Sequence, residues 1–452
     1  MSESELLPRK RCEELMMAAQ AAAYRHGVKD VEILLTATDE SLTRFANNAI
    51  HQNVSERGIT LSVRTAIDKR TARASTNKLD RDGISSAVDE AVALTRACEP
   101  LPDLPPMYES QVAADGSRWS QASAECTPSE RARGVADAIR VAESNGQTAA
   151  GIYATGENVE ALLNSSGLFR YYYDTLTNFS ITAMAGDSSG WAKATSSRHD
   201  EISPIALAER ATKKAALSRE PRELPPGEYT VVLEPSAVLD LVGQIFGDFS
   251  ATALDDQRSF LNGRLGEKLF GENITIYDDA DFPLQTGAPF DGEGVPRQVL
   301  TLVKRGVAEQ VAWSRESANR AGVDPTGHGY PLPNEVGEAP VNIVIAGGKS
   351  SLGDLIASTK NGILVTRFWY IREVEPHAKV MTGMTRDGTF LIRDGEIGAG
   401  LRNFRFNQSV VDMLRNVECL SASGRATGEE AFDMVVPAMK VHNFRFTEVT
   451  KF

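Results

Sequence analysis

The same order of local patterns is written twice before residue 220, and that repetition limits the fold more than any single motif does. From Cys12 to Ala23 apolar residues and alanines recur at helical spacing, and Gly27 stands where a carboxyl-terminal cap belongs. Strand and turn signals follow at 31–38, 42–45, 49–54, 58–65 and 71–75, and a helix over 80–98 closes the unit. After a stiff proline-rich linker at 99–106 the order returns. Thr127-Pro-Ser-Glu130 reads as a capping box opening a helix to about Asn145, strands are expected at 151–155, 159–164, 168–176, 179–185 and 191–195, and Ser203-Pro204 starts a helix to Ser218. Residues 11–98 and 127–218 are therefore two versions of helix, antiparallel meander, helix.

Pro221, Pro225 and Pro226 mark the best boundary, giving an N-terminal domain over 1–220 and a C-terminal domain over 227–452. In the second domain strands are expected at 229–233, 274–277, 298–303 and 341–345, helices at 235–249 and 350–359, and mostly strand and turn from Gly362 onward. The fold class is α+β, with a mainly antiparallel β C-terminal domain carrying a few helices.

A net charge of −13 repels phosphate backbones, and the basic residues gather only at Arg9-Lys10-Arg11 and around Lys69, Arg70 and Arg73, so no nucleic-acid partner is expected. Cys12, Cys98, Cys126 and Cys419 form no C-x-x-C and fit a reducing cytoplasm. Met1-Ser-Glu-Ser-Glu has no basic and apolar leader pattern, and no apolar run approaches the ~18 residues of a membrane span, so no membrane association is expected.

Four local motifs invite chemistry and have plainer readings. Gly186-Asp-Ser-Ser-Gly190 matches the G-x-S-x-G of serine hydrolases, but that elbow joins a strand to a helix, whereas here strands lie on both sides, so a hairpin turn is expected. Ala346-Gly-Gly-Lys-Ser350 sits between strand and helix like a phosphate loop, yet no glycine stands five positions before Gly348, where the full motif needs its first one, so a plain turn is expected. Asp278, Asp279 and Asp281 could ligate a hard cation, though exposed acidic turns are commoner. The six histidines are scattered, and a zinc site from His328, His377, His442 and Cys419 has no support in their spacing.

Longer segments carry a resemblance. Ser41-Leu-Thr-Arg-Phe-Ala-Asn-Asn-Ala-Ile-His-Gln52 with Arg57-Gly-Ile-Thr-Leu-Ser-Val-Arg64 resembles the N-terminal signature of the TldD/TldE (PmbA) metalloprotease family. Residues 259–268, Gly287-Ala-Pro-Phe-Asp-Gly-Glu-Gly-Val295, Gly327-His328, 342–348, 362–366, 394–397 and 437–440 continue it in order. The resemblance implies dimers around an enclosed cavity, in which TldD with TldE cuts small or unfolded peptides. It also implies that the metal belongs to the TldD partner, on a helix carrying H-E-x-x-x-H together with a cysteine near the carboxyl terminus.

Here the corresponding helix reads Val238-Leu-Asp-Leu-Val-Gly-Gln-Ile-Phe246, without histidine or glutamate, and no cysteine follows Gly424. The resemblance thus implies a TldE-like subunit with no catalytic residue or metal ligand of its own. Zinc or another divalent metal is expected in a TldD-like partner, with a homodimer as the alternative when that partner is absent. Asn47, Asn48, Phe290, Asp291, Glu293 and His328 are the candidates for channel or partner-facing positions, because polar groups in glycine-rich loops suit peptide contacts. The rival readings are a stand-alone or homodimeric metallopeptidase with a non-standard site, and a non-enzymatic regulator resembling the family's description as a gyrase modulator.

Overall fold

The computed structural model describes residues 4, 6–109 and 114–450. Apart from Ser4, the five residues read for a leader lie outside them. Among the described residues no helix is long and apolar enough to cross a membrane.

The N-terminal region opens with helix α1 (Arg9–Arg25), followed by β1 (Asp30–Ala46), β2 (Ala49–Ile67), β3 (Arg70–Thr76) and α2 (Arg81–Ala97). The second set is β4 (Gly116–Arg118), α3 (Gln121–Ala124), α4 (Pro128–Ser144), β5 (Thr148–Asn164), β6 (Phe169–Ala185), β7 (Ser188–Ser196) and α5 (Pro204–Leu217). Helix ends follow local chemistry. Gly27, at φ +74°, ends α1 while its amide and that of Val28 return to Tyr24 and Ala23. Thr127 and Glu130 close the capping box of α4.

The strands are longer than their sequence signals. Breaks expected near Glu56-Arg57-Gly58 and Gly156-Glu157-Asn158 do not occur: Arg57 pairs with Asp39 and Gly58 with Thr38, while β5 runs beside both β1 and β6 over its length. A neighbouring ladder on each side outweighs weak local propensity. The two repeats consequently merge into one sheet, ordered β3-β2-β1-β5-β6-β4 with β7 beside β6.

Strand alternation sorts that sheet into two unlike faces. Odd-numbered positions such as Ile33, Leu35, Val63, Val159, Phe179 and Ile181 are buried in cores shared with α1, α2, α4 and α5. Even-numbered positions of β1, β2, β5 and β6 carry Glu32, Arg64, Glu160, Tyr172 and Asp174, Lys193 of β7 joins them opposite Ser180, and this polar face receives the rest of the chain.

Past the proline-rich boundary come β8 (Gly227–Leu233) and helix α6 (Pro235–Val242). The helix expected to reach Phe249 ends at Val242 and continues as a 3-10 turn over Gly243–Asp248. The remaining strands form a six-stranded and a seven-stranded sheet around a core rich in Phe368, Phe404, Phe406, Phe444 and Phe446. These sheets are mixed: β8 runs parallel to Asn361–Glu375, and Ile343–Ile345 parallel to Met434–Val436.

Candidate functional site

Helix α6 and the chain that covers it form the first part of the site. Val238, Leu239, Leu241 and Val242 are buried. Between them, Asp240 accepts hydrogen bonds from the amides of Glu429 and Glu430 at 3.3 Å each and of Phe368 at 3.1 Å. Burial pushes its carboxyl up to about 7 despite those donors. Segment 427–433 lies directly on the helix. Ser236 Oγ donates to the Thr427 carbonyl at 2.9 Å, and Gln244 Nε2 donates to that of Glu430 at 3.1 Å. A Cβ on Gly243 would stand 2.3 Å from that of Ala431, so this approach requires glycine.

No imidazole or thiol enters this junction, and both Asp240 oxygens are occupied by amides. These side chains do not fit a divalent cation. Among the described residues no group of three His, Cys, Asp or Glu side chains is placed to hold one. His328 instead stands 3.2 Å from Asp278, and His442 lies 2.7 Å from Glu418.

The second part is the seam between the polar sheet face and the loops of the C-terminal region. Opposite one another on β1, β2 and β3 stand Glu32, Arg64 and Arg73. Arg64 grips Glu32 with Nε at 3.1 Å and Nη2 at 3.0 Å, and Arg73 adds a bond of 2.7 Å. Burial alone would raise the Glu32 carboxyl, but the two guanidiniums hold it below the ordinary range. Arg73 then crosses the seam to the Leu332 carbonyl at 2.8 Å, and Arg170 to that of Gly294 at 3.1 Å.

The sequence-derived candidates fall in different places. Asn47 and Asn48 form the β1–β2 turn at φ +51° and +59°. Asn47 is exposed, while the Asn48 side chain ties that turn to β5, donating to the Gln147 carbonyl and accepting from the Ala149 amide. Phe290, Asp291, Glu293 and His328 are brought together in or beside the seam and are buried within the chain, at 1%, 1%, 1% and 2% exposure. Phe290 packs on Ala114 and Tyr172, and Asp291 accepts from the amides of Glu293, Val295 and Gly329. Burial and the neighbouring Asp291 push Glu293 up to about 8. Asp278, expected in an exposed acidic turn, is buried and accepts from the amides of Val341 and Asn342.

The other motifs take their plain readings. Gly186 turns the β6–β7 hairpin at φ +66°, and Ser188 Oγ donates to the carbonyls of Ala185 and Ala215. Gly347 and Gly348 allow contact with residues 420–423, where a Cβ would come within 2.4 Å of backbone atoms. Sequence inspection missed Glu32, Arg64, Arg73 and Glu160 as partners. The available signal was a charge at positions that alternate with apolar ones along the strand.

Between the seam and the α6 junction a strip of the polar face remains uncovered. Glu40 and Arg44 are exposed, and Leu42, Ile152, Ala154, Asn178 and Ser180 are half-buried. At one end of the strip Lys193 donates to the Gly428 carbonyl at 2.8 Å and Thr195 to Asp433 at 2.7 Å, so it leads directly to the loop on α6. Alongside runs a free edge. Strand β2 pairs with β1 throughout, but β3 covers only 61–67, so among the described residues β2 has no strand on its outer side over 49–60, and residues 49–57 are exposed.

Known proteins share this fold. Residues 31–95 match the PmbA/TldA metallopeptidase domain 1, residues 123–219 the central domain and residues 226–448 the C-terminal domain of the same family. This chain belongs to the PmbA/TldD metallopeptidase family. A metalloprotease of Methanothermobacter thermautotrophicus is 26% identical over 329 residues, 68% of this chain and 70% of that one. The metalloprotease PmbA homolog of Haemophilus influenzae is 22% identical over 380 residues, 79% of either chain. The fold superposes on the crystal structure of TldE from Thermococcus kodakarensis with a TM-score of 0.85 over 96% of this chain and 99% of that one, at 21% identity. Within a family named for metallopeptidases, this member has aliphatic residues and an amide-bound aspartate on the helix aligned by resemblance with the metal motif.

Proposed function

We propose that this chain is the metal-free, TldE-like subunit of a two-subunit cytoplasmic peptidase, and that it holds small or unfolded peptides in extended form for a TldD-like partner. The free edge of β2 carries the reading. An extended strand with unpaired backbone groups can accept a peptide irrespective of its sequence, because main-chain hydrogen bonds supply the affinity. Folded substrates cannot offer such a strand, which accounts for selection of unfolded chains. The partner would hold zinc or another divalent metal, whose chemistry is the activation of water. This chain would orient the peptide and limit access to it.

Two adjacent proline substitutions test the edge. Along a strand, successive amides point alternately toward the neighbouring strand and away from it. Of Val54→Pro and Ser55→Pro, one therefore removes an outward amide and the other breaks the ladder to β1. The chain purified alone should show no chelator-sensitive cleavage. Mixed with a family member bearing H-E-x-x-x-H it should cleave unfolded peptide, and the outward-amide proline should raise KM with the fold retained. Robust chelator-sensitive activity of this chain alone would sink the proposal.

A further inference from the structure

A cavity of about 440 Å³ opens between α5 and the C-terminal sheets, away from the β2 edge. Its wall includes Leu352, Ile356, Leu364, Phe390 and Ile397. The polar wall consists of Arg210, Lys213 and Lys214 from α5, with Glu234 just before α6. Lys214 and Glu234 are paired at 2.7 Å, whereas Arg210 and Lys213 are exposed. Three cations thus face one carboxylate on a chain whose net charge is −13. Cations near a helix end offset its dipole, but that does not explain Leu217 and Ile397, apolar residues left 37% and 39% exposed at this cavity.

We propose that the cavity binds the carboxyl-terminal residue of a peptide whose last side chain is apolar. The side chain rests on Leu364 and Phe390, and the terminal carboxylate faces Arg210 and Lys213. Helix α6 starts at Pro235 in the same wall without a side-chain cap, so its positive end also favours an anion. A peptide suits the place better than a hydrocarbon acid does. Ile397 belongs to Glu396–Gly400, the last strand of its sheet; the Gly400 carbonyl accepts from the Arg222 amide, but among the described residues no strand pairs with the outer edge over 396–398. Only a peptide has backbone groups to use that edge. This inference rests on the reading of the chain as a peptide-holding subunit and names an anchor for that peptide.

Fluorescence anisotropy of the full chain, without any partner, tests it with labelled peptides ending in Leu-Phe as the free acid, in Leu-Phe as the amide, and in Ser-Ser as the free acid. The Leu-Phe acid should bind at least tenfold more tightly than either other peptide. Reversing the two exposed cations together, Arg210→Glu with Lys213→Glu, should abolish that preference, and Ile356→Trp, which fills the cavity, should abolish binding with circular dichroism unchanged. Equal binding of acid and amide would overturn the proposal. So would tight binding of decanoate without peptide binding, or a change in oligomeric state as the only effect of the variants. Because the titration omits the partner, its failure leaves the paired-enzyme reading intact, and a failed chelator assay leaves the titration readable.

Discussion

Replacing Glu32 with glutamine removes the one carboxylate that two guanidiniums share and leaves the shape of the site nearly unchanged. Glu32 is 1% exposed and accepts three charge-assisted bonds, at 3.1, 3.0 and 2.7 Å. Taking one partner from a buried ion pair costs about 3–5 kcal/mol, because the remaining charge stays desolvated and uncompensated. Two arginines would be stranded in Glu32→Gln, so the upper part of that range is expected. Urea denaturation followed by tryptophan fluorescence measures it. The sign of the pH dependence follows from the lowered carboxyl. Its stabilisation is present above the unfolded-state value of about 4.3 and is lost as pH falls through the lower folded value. The gap between the two proteins should therefore stay constant from pH 8 to 5 and close below about pH 4. A loss under about 1 kcal/mol at pH 7, or a gap that persists in acid, would refute the view that this charge cluster holds the seam.

Further outcomes follow from the same geometry. Burial pushes Glu160 up to about 6, so it favours the folded state only while protonated. Glu160→Gln should gain about 1–2 kcal/mol on the wild type as pH rises from about 4 to 7, and parallel stability curves would contradict this. Gly190 lies so close to α5 that a Cβ would stand 2.1 Å from the Ala211 carbonyl. Gly190→Ala should cost about 1–3 kcal/mol in thermal unfolding, and wild-type stability would show that α5 does not pack there. Ser188→Ala should lose about 1 kcal/mol of stability with peptide cleavage by the partnered protein unchanged, whereas loss of cleavage would restore the serine-nucleophile reading.

Sequence by itself determined the elements with strong local causes. The capping box at Thr127, the glycine end of α1 and the turn at Gly186 each satisfy backbone groups within a few residues, so their chemistry is legible without the fold. It also carried the family resemblance and showed that α6 bears aliphatic residues where paired imidazoles would be expected. Tertiary structure decided what depends on distant partners. Long strands bridge the breaks near Gly58 and Gly156 because ladders on both sides hold them. Glu32, Arg64 and Arg73 become one charge cluster only when three strands align in register. Segment 427–433 covers α6, and β3 leaves residues 49–60 of β2 without an outer strand among the described residues. The physical reason is range: caps and turns are settled by neighbours in the chain, whereas burial, charge pairing and a free sheet edge are properties of which segments meet.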